Sequence, residues 1–141
     1  MTEYRLKDLY YLAGMMDADG CFNITRCRKS YVPRMMVLNT NFNIIEWLQK
    51  NFGGIVSRTT VKNKPNWKPR FTWILSHRKA LDLTDLIVDK LIIKDQQAVL
   101  FRTYACVQDS FKKNERSECY EYLQKVLKKM NLKGVQLNTN G

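Results

Sequence analysis

The spacing of hydrophobic and polar positions predicts a helix at the start of the chain and a pair of strands after it. Apolar residues first recur every three or four positions, as on one face of a helix, at Leu6, Leu9, Ala13 and Met16. The period then falls to two in residues 21–28 and again in residues 34–39. We therefore expect two antiparallel strands joined by a basic loop from Arg26 to Pro33.

Helical and strand periods continue to alternate through the rest of the chain. Asn43, with Glu46 three residues later, has the form of a capping box, and Ser76 can cap a later helix. The predicted elements are a helix ending near Phe52 and strands 55–61 and 71–75 around a loop at 62–69. Three helices follow: one that ends at about Lys90, one over about 95–111 and one over about 116–130.

The order of these elements predicts the α+β class, with one four-stranded antiparallel sheet and the helices packed on one of its faces. Residues 1–133 are expected to form a single domain, and residues 134–141 a polar, loose tail. The chain contains no internal repeat.

The charge of the chain indicates a polyanionic partner. The formal net charge is +11, and residues 20–45 and 57–79 contain no Asp or Glu. The positive charge is therefore concentrated on particular segments, which hold Arg26, Arg28, Lys29, Arg34, Arg58, Lys62, Lys64, Lys68, Arg70, Arg78 and Lys79.

Cysteine usage and hydropathy argue against a secreted or membrane protein. The four cysteines form no CxxC pair, and His77 is the single histidine, so we expect reduced thiols and no zinc site. No apolar run approaches the roughly 20 residues of a membrane span, and the N-terminus does not resemble a targeting signal. We expect an intracellular protein that acts where it is made, in an organelle matrix or a prokaryotic or phage cytoplasm.

The segment from Leu12 to Gly20, Leu-Ala-Gly-Met-Met-Asp-Ala-Asp-Gly, carries the chemistry. Gly14 and Ala18 leave one stripe of the first helix nearly bare, so another backbone could approach closely. Asp19 falls at the negative end of the helix dipole, where a carboxylate is unfavourable unless a cation is present. Gly20 is expected to end the helix in a left-handed conformation. Oxygen ligands of this kind suit Mg²⁺.

These residues resemble the signature of the LAGLIDADG homing endonucleases, with Met15 and Met16 replacing Leu and Ile. The resemblance covers about residues 5–105. It implies a site-specific endonuclease that hydrolyses phosphodiesters of double-stranded DNA in intron homing, with Mg²⁺ as cofactor and Mn²⁺ as a substitute. It also implies a long pseudo-palindromic target and a double-strand break across the minor groove with short 3′ overhangs.

A single copy of the motif implies a homodimer, because two strands must be cut and single-motif members of the family are dimers. The expected interface is isologous and built on the first helix, from Tyr10, Ala13, Gly14, Asp17 and Ala18.

The resemblance also implies roles at the reacting phosphate. Asp19 of each subunit and the carbonyl of Ala18 would bind metal, and Asp17 has either a direct or a structural role. Asn39 matches the position of an amide that orients a water or metal, and Lys94 matches a basic residue beside the scissile phosphate.

Strand alternation separates expected core residues from expected DNA contacts. We expect Phe22, Ile24, Met35, Val37, Phe71 and Trp73 to face the core. Asn23, Thr25, Cys27, Arg34, Met36, Ser57, Thr59, Arg70 and Thr72 should then face the major groove, where Arg and Asn side chains recognise guanine and adenine. Arg58 and the loop residues Arg26, Arg28, Lys29, Lys62, Lys64 and Lys68 are expected to contact DNA, the loop residues through its phosphates.

Two other readings remain open at this point. Proteins of this fold can bind nucleic acid without cutting, as a maturase that holds intron RNA or as a DNA-binding regulator. A general basic nucleic-acid protein would lack sequence preference and depend steeply on salt.

Overall fold

The computed structural model of the chain describes residues 3–60, 66 and 68–133. Within these residues the elements follow the predicted order. The helices are α1 (Leu6–Asp19), α2 (Phe42–Phe52), α3 (His77–Ile87), α4 (Asp95–Ser110) and α5 (Lys113–Lys133). The strands are β1 (Gly20–Cys27), β2 (Ser30–Asn39), β3 (Ile55–Thr59) and β4 (Arg70–Ser76). The tail predicted at 134–141 lies outside the described residues.

The predicted fold class is confirmed. The four strands form one antiparallel sheet in the spatial order β1-β2-β4-β3. The helices pack on the face that carries Phe22, Met35 and Trp73, each of which is fully buried. Of the residues predicted to face the core, Ile24 and Val37 are also buried, and Phe71 is half-buried.

Two details of the predicted helices are wrong. Leu6 was assigned to the same apolar face as Leu9 and Met16 but is 63% exposed, because it shares the four-residue repeat of Tyr10 rather than the buried face. The cap of α2 is Asn41, whose side chain accepts a hydrogen bond from the N–H of Asn43 at 3.0 Å.

The first hairpin is tighter than predicted. β1 and β2 remain paired to Cys27 and Ser30, so a two-residue turn, Arg28-Lys29, replaces the loop expected from Arg26 to Pro33. Pro33 is tolerated within β2 because β4 pairs with that strand only from Arg34 onward.

Gly20 does not adopt the predicted left-handed conformation, since its φ is −91°. A Cβ at this position would lie 2.5 Å from both Cα and Sδ of Met16. The glycine is therefore required by close packing at the junction of α1 and β1.

Gly20→Ala is expected to lower the free energy of unfolding by about 1–3 kcal/mol, because the backbone must shift to admit the methyl group. Urea denaturation would measure the change. Gly14→Ala is the control: outside the backbone of α1, its Cβ meets no atom of the described residues within 4 Å, and alanine favours the helix by about 1 kcal/mol. Unchanged stability of Gly20→Ala would contradict the packing explanation.

Among the described residues, no helix combines the length and hydropathy that crossing a membrane requires. The four cysteines have free thiols.

Candidate active site

Asp19 ends α1 and lies against the end of β2. Its Oδ2 accepts a hydrogen bond from Nδ2 of Asn39 at 3.0 Å. The amide of Asn39 is itself oriented, because its Oδ1 accepts the backbone N–H of Asn41 at 2.8 Å. The turn before α2 therefore aims the NH₂ group of Asn39 at the carboxylate, which remains exposed to solvent.

Asp17 holds the segment that precedes α4. Its carboxylate accepts the backbone N–H groups of Ile92, Ile93 and Lys94 at 2.8, 3.1 and 2.9 Å. Three hydrogen bonds to one carboxylate fix this segment to α1. Of the two roles left open by the sequence, this geometry supports the structural one.

Lys94 extends from the fixed segment to the junction of α1 and β1. Its Nζ donates a hydrogen bond to the carbonyl of Gly20, the residue after Asp19. Burial raises the pKa of the neighbouring Cys21 thiol, and the positive charge of Lys94 only partly offsets this effect. The thiol is therefore protonated and neutral at pH 7.

A pocket of about 270 Å³ opens beside Asp19 and is lined by Leu38, Asn39, Thr40 and Arg70. Arg70, at the start of β4, was predicted as a base contact and here lies near the carboxylate. Thr40 was not predicted, because a single threonine after a strand carries no recognisable signal. The structure thus gathers Asp19, Asn39 and Lys94 at one junction, with Arg70 beside it.

A sequence model of the family described as LAGLIDADG endonuclease matches residues 12–89. The chain belongs to the LAGLIDADG endonuclease family. The matched region begins with the motif and extends through α3, so it includes Asp19, Asn39 and the whole sheet.

Solved structures of LAGLIDADG homing endonucleases are similar in fold. The chain superposes on I-CvuI in complex with its target with a TM-score of 0.72, at 17% identity over 96% of this chain and 86% of that chain. For the archaeal intron-encoded I-Vdi141I, complexed with DNA, the TM-score is 0.72 at 16% identity, over 94% of this chain and 89% of that chain. For I-TnaI the TM-score is 0.58 at 21% identity, over 99% of this chain and 92% of that chain. No curated protein sequence matched.

Helix α1, which carries the LAGLIDADG motif, leaves the stripe of Gly14 and Ala18 uncovered. Apart from the backbone of α1 itself, a Cβ on Gly14 would meet no atom of the described residues within 4 Å. Ala18 is exposed, and Tyr10 is 57% exposed. Ala13, predicted in the dimer interface, is only 1% exposed because its side chain faces the core of its own chain. Ile92 is 84% exposed and is tied to α1 through Asp17.

The ligands that one chain offers a metal are few. Within the described part of the chain, no group of three His, Cys, Asp or Glu side chains lies close enough to hold an ion. Asp19 contributes one carboxylate, and the carbonyl of Ala18 has no donor four residues ahead in the helix. This donor set fits a hard divalent cation only if further oxygen ligands come from outside the chain.

The sheet face opposite the helices carries all nine side chains predicted to point away from the core. On this face Nη2 of Arg34 lies 3.6 Å from Sγ of Cys27, and Nδ2 of Asn23 lies 3.3 Å from Sδ of Met36. Thr72 is only 8% exposed, because β2 and β3 flank it on both sides. The nine are Asn23, Thr25, Cys27, Arg34, Met36, Ser57, Thr59, Arg70 and Thr72.

Two basic side chains predicted to contact DNA lie on the helix side of the sheet instead. Arg26 is a strand residue rather than a loop residue, and its guanidinium lies 5.6 Å from the ring centroid of Tyr31. Arg58 pairs with Phe71 and shares its face. Arg28, Lys29 and Lys68 are exposed, as a phosphate contact requires. Lys62 and Lys64 lie outside the described residues.

Proposed function

We propose that two copies of this chain form a Mg²⁺-dependent endonuclease that cuts both strands of a specific DNA site. The observation that carries this proposal is the junction of α1 and β1, where the exposed carboxylate of Asp19 lies beside Asn39 and Lys94. The uncovered stripe of Gly14 and Ala18 on the same helix provides the means of bringing two such junctions together.

If the two stripes pack face to face, the interface is isologous: the same surface of both subunits forms it, with α1 of one subunit against α1 of the other. The C-terminal ends of both helices would then converge, and with them two Asp19 carboxylates and two Ala18 carbonyls. Tyr10 and Ile92 are exposed apolar side chains that this contact would bury. Asp17, also predicted in the interface, binds the backbone N–H of Ile92 in its own chain and would hold that residue in position for the contact.

Each side chain has a role that follows from its position. Asp19 and the carbonyl of Ala18 would hold Mg²⁺, or Mn²⁺ in its place, and Asn39 orients the Asp19 carboxylate through its NH₂ group. Lys94 supplies positive charge for the phosphorane-like transition state. The bound ion would supply a more acidic water and neutralise charge on the leaving oxygen.

The open face of the sheet would lie along the major groove. A strand of eight residues spans about 26 Å, or roughly 7 to 8 base pairs, so two half-sites give a target of about 15 to 25 base pairs. Arg34 and Asn23 present groups suited to guanine and adenine edges. Exposed Arg28, Lys29 and Lys68 would contact phosphates.

Sequence-specific binding can be tested by selection from a randomised duplex library in Ca²⁺. In this proposal Ca²⁺ allows DNA binding but does not support cleavage. We expect one long, near-palindromic consensus, with each mismatch weakening binding by about 1–3 kcal/mol. Binding without a consensus, with a steep salt dependence, would instead indicate a general basic protein. Preference for a structured intron RNA over every selected duplex would indicate a maturase.

Asp17→Asn is expected to reduce cleavage about 10–100-fold while leaving DNA affinity within twofold, because a neutral amide holds the Ile92 to Lys94 segment less firmly and Lys94 moves. Single-turnover cleavage and binding in Ca²⁺ would separate the two effects. Asp82→Asn, on the exposed side of α3, is the control. A wild-type rate for Asp17→Asn would show that this carboxylate does not position Lys94.

A further inference from the structure

A second basic site lies at the opposite end of β1 from Asp19, on the helix side of the sheet. An open cavity of about 200 Å³ lies between Lys29 of the first hairpin turn, α4 and the start of α5. Lys29 enters it from the turn, and Lys113 and Arg116 enter it from the first turn of α5. We call it the basic cavity. The eight residues of β1 separate it from the candidate active site by about 26 Å.

The basic cavity has an excess of positive charge. No lining residue is acidic, and within the described part of the chain none of its three cations forms an ion pair with a carboxylate. Nε of Arg116 donates to the carbonyl of Phe111 at 2.8 Å, which fixes the guanidinium and leaves its Nη groups for a ligand. Like charges that line one cavity repel one another, and an anion would relieve the repulsion.

The floor of the basic cavity is rigid and uncharged. The rings of Tyr104 and Tyr120 stack with centroids 4.0 Å apart and planes 8° apart, and both residues are buried. The hydroxyl of Tyr104 donates to the carbonyl of Tyr31 at 2.7 Å. Burial raises the pKa of Tyr104, so this phenol stays protonated and adds no negative charge.

We propose that the basic cavity binds a phosphate group of the DNA backbone beyond the base pairs that the sheet covers. This inference rests on the proposed function. Lys29 lies in the turn that ends this hairpin, so it stands at the edge between the open face, which carries the predicted base contacts, and the cavity on the helix side. DNA that continues beyond the end of the hairpin would come within reach of this edge. Arg116, Lys113 and the hydroxyl of Ser117 then supply the charged and neutral donors that phosphate oxygens accept.

The test compares two duplexes that contain the same selected target, one ending at its edges and one extended by about ten base pairs on each side. For the natural chain in Ca²⁺, the slope of log affinity against log salt should be steeper by about 0.9 per captured phosphate on the long duplex. Lys113→Gln/Arg116→Gln should abolish this difference and weaken binding of the long duplex about tenfold. Lys128→Gln/Lys129→Gln removes the same charge from an exposed part of the same helix, and this variant should retain the difference in slope between the two duplexes.

Thermal unfolding of each variant would exclude a folding defect. If the double variant is unstable, Lys113→Gln alone takes its place. Equal slopes on both duplexes for the natural chain, or equal losses in the two double variants, would overturn the inference.

A titration with inorganic phosphate, followed by the amide resonances of Lys113, Arg116 and Ser117, separates the two sources of phosphate. Saturable shifts accompanied by a difference between duplexes support the inference. Saturable shifts without that difference identify a site for free phosphate and overturn the assignment to DNA. If no duplex binds at all, the proposed function fails, whereas the phosphate shifts still report whether the cavity holds an anion.

Discussion

Asp19→Asn is expected to reduce double-strand cleavage at least about 1000-fold, a loss of about 4 kcal/mol in transition-state stabilisation, while DNA binding is retained. The substitution replaces an exposed carboxylate at the end of α1 by a neutral amide of nearly the same shape. Its oxygen can still accept the hydrogen bond from Asn39. The variant therefore loses charge at the proposed metal site and little else.

Single-turnover cleavage in Mg²⁺ and equilibrium binding in Ca²⁺ would measure the two effects separately. Asp82→Asn makes the same chemical change on α3, away from the junction, and should cleave at the wild-type rate. Full cleavage by Asp19→Asn would refute the assignment of this carboxylate as the metal ligand. Loss of binding together with cleavage would place its role in DNA recognition.

Gly14→Leu is expected to convert the proposed dimer to a folded monomer at micromolar concentration and to abolish double-strand breaks. Among the residues that the structure describes, and apart from the backbone of α1 itself, no atom lies within 4 Å of a Cβ at this position, so a leucine side chain can be accommodated without disturbing the monomer. In the proposed dimer the same side chain would lie between two closely packed helices and hold them apart.

Analytical ultracentrifugation and circular dichroism together test this second prediction. Gly14→Ala is the matched control, because a methyl group preserves a small-residue stripe. A dimer of unchanged affinity in Gly14→Leu would show that the subunits associate through another surface. A folded dimer that still fails to cut would point instead to misplacement of the two Asp19 residues.

Periodic burial made most of the fold predictable. Helix α1 and strand β1 each bury one face, so Leu9 and Met16 on α1, and Phe22 and Ile24 on β1, could be assigned from spacing alone. Predictions failed where the environment overrode local pattern. Pairing with β2 kept Arg26 within a strand despite its basic neighbours.

The site was only partly predictable, for a related reason. Asp19 is marked by its motif, whereas the positions of Asn39 and Lys94 followed from family resemblance and not from their neighbours. The hydrogen bonds of Asp17 join residues 75 to 77 positions apart, and no local pattern encodes them. The sequence indicated that a glycine is needed at position 20 but for the wrong reason. A left-handed conformation was predicted, whereas the structure requires glycine because Met16 lies too close to admit a Cβ.

The most direct test of the account is cleavage of a randomised duplex library by the purified chain in Mg²⁺, followed by sequencing of the broken ends. Reactions in Ca²⁺ and with Asp19→Asn serve as controls. We expect a single long, near-palindromic site cut on both strands with short 3′ overhangs, and no cutting in either control. If a selected DNA or RNA is retained but nothing is cut in Mg²⁺, the chain is a binding protein, and the assignment of Asp19 to catalysis is wrong.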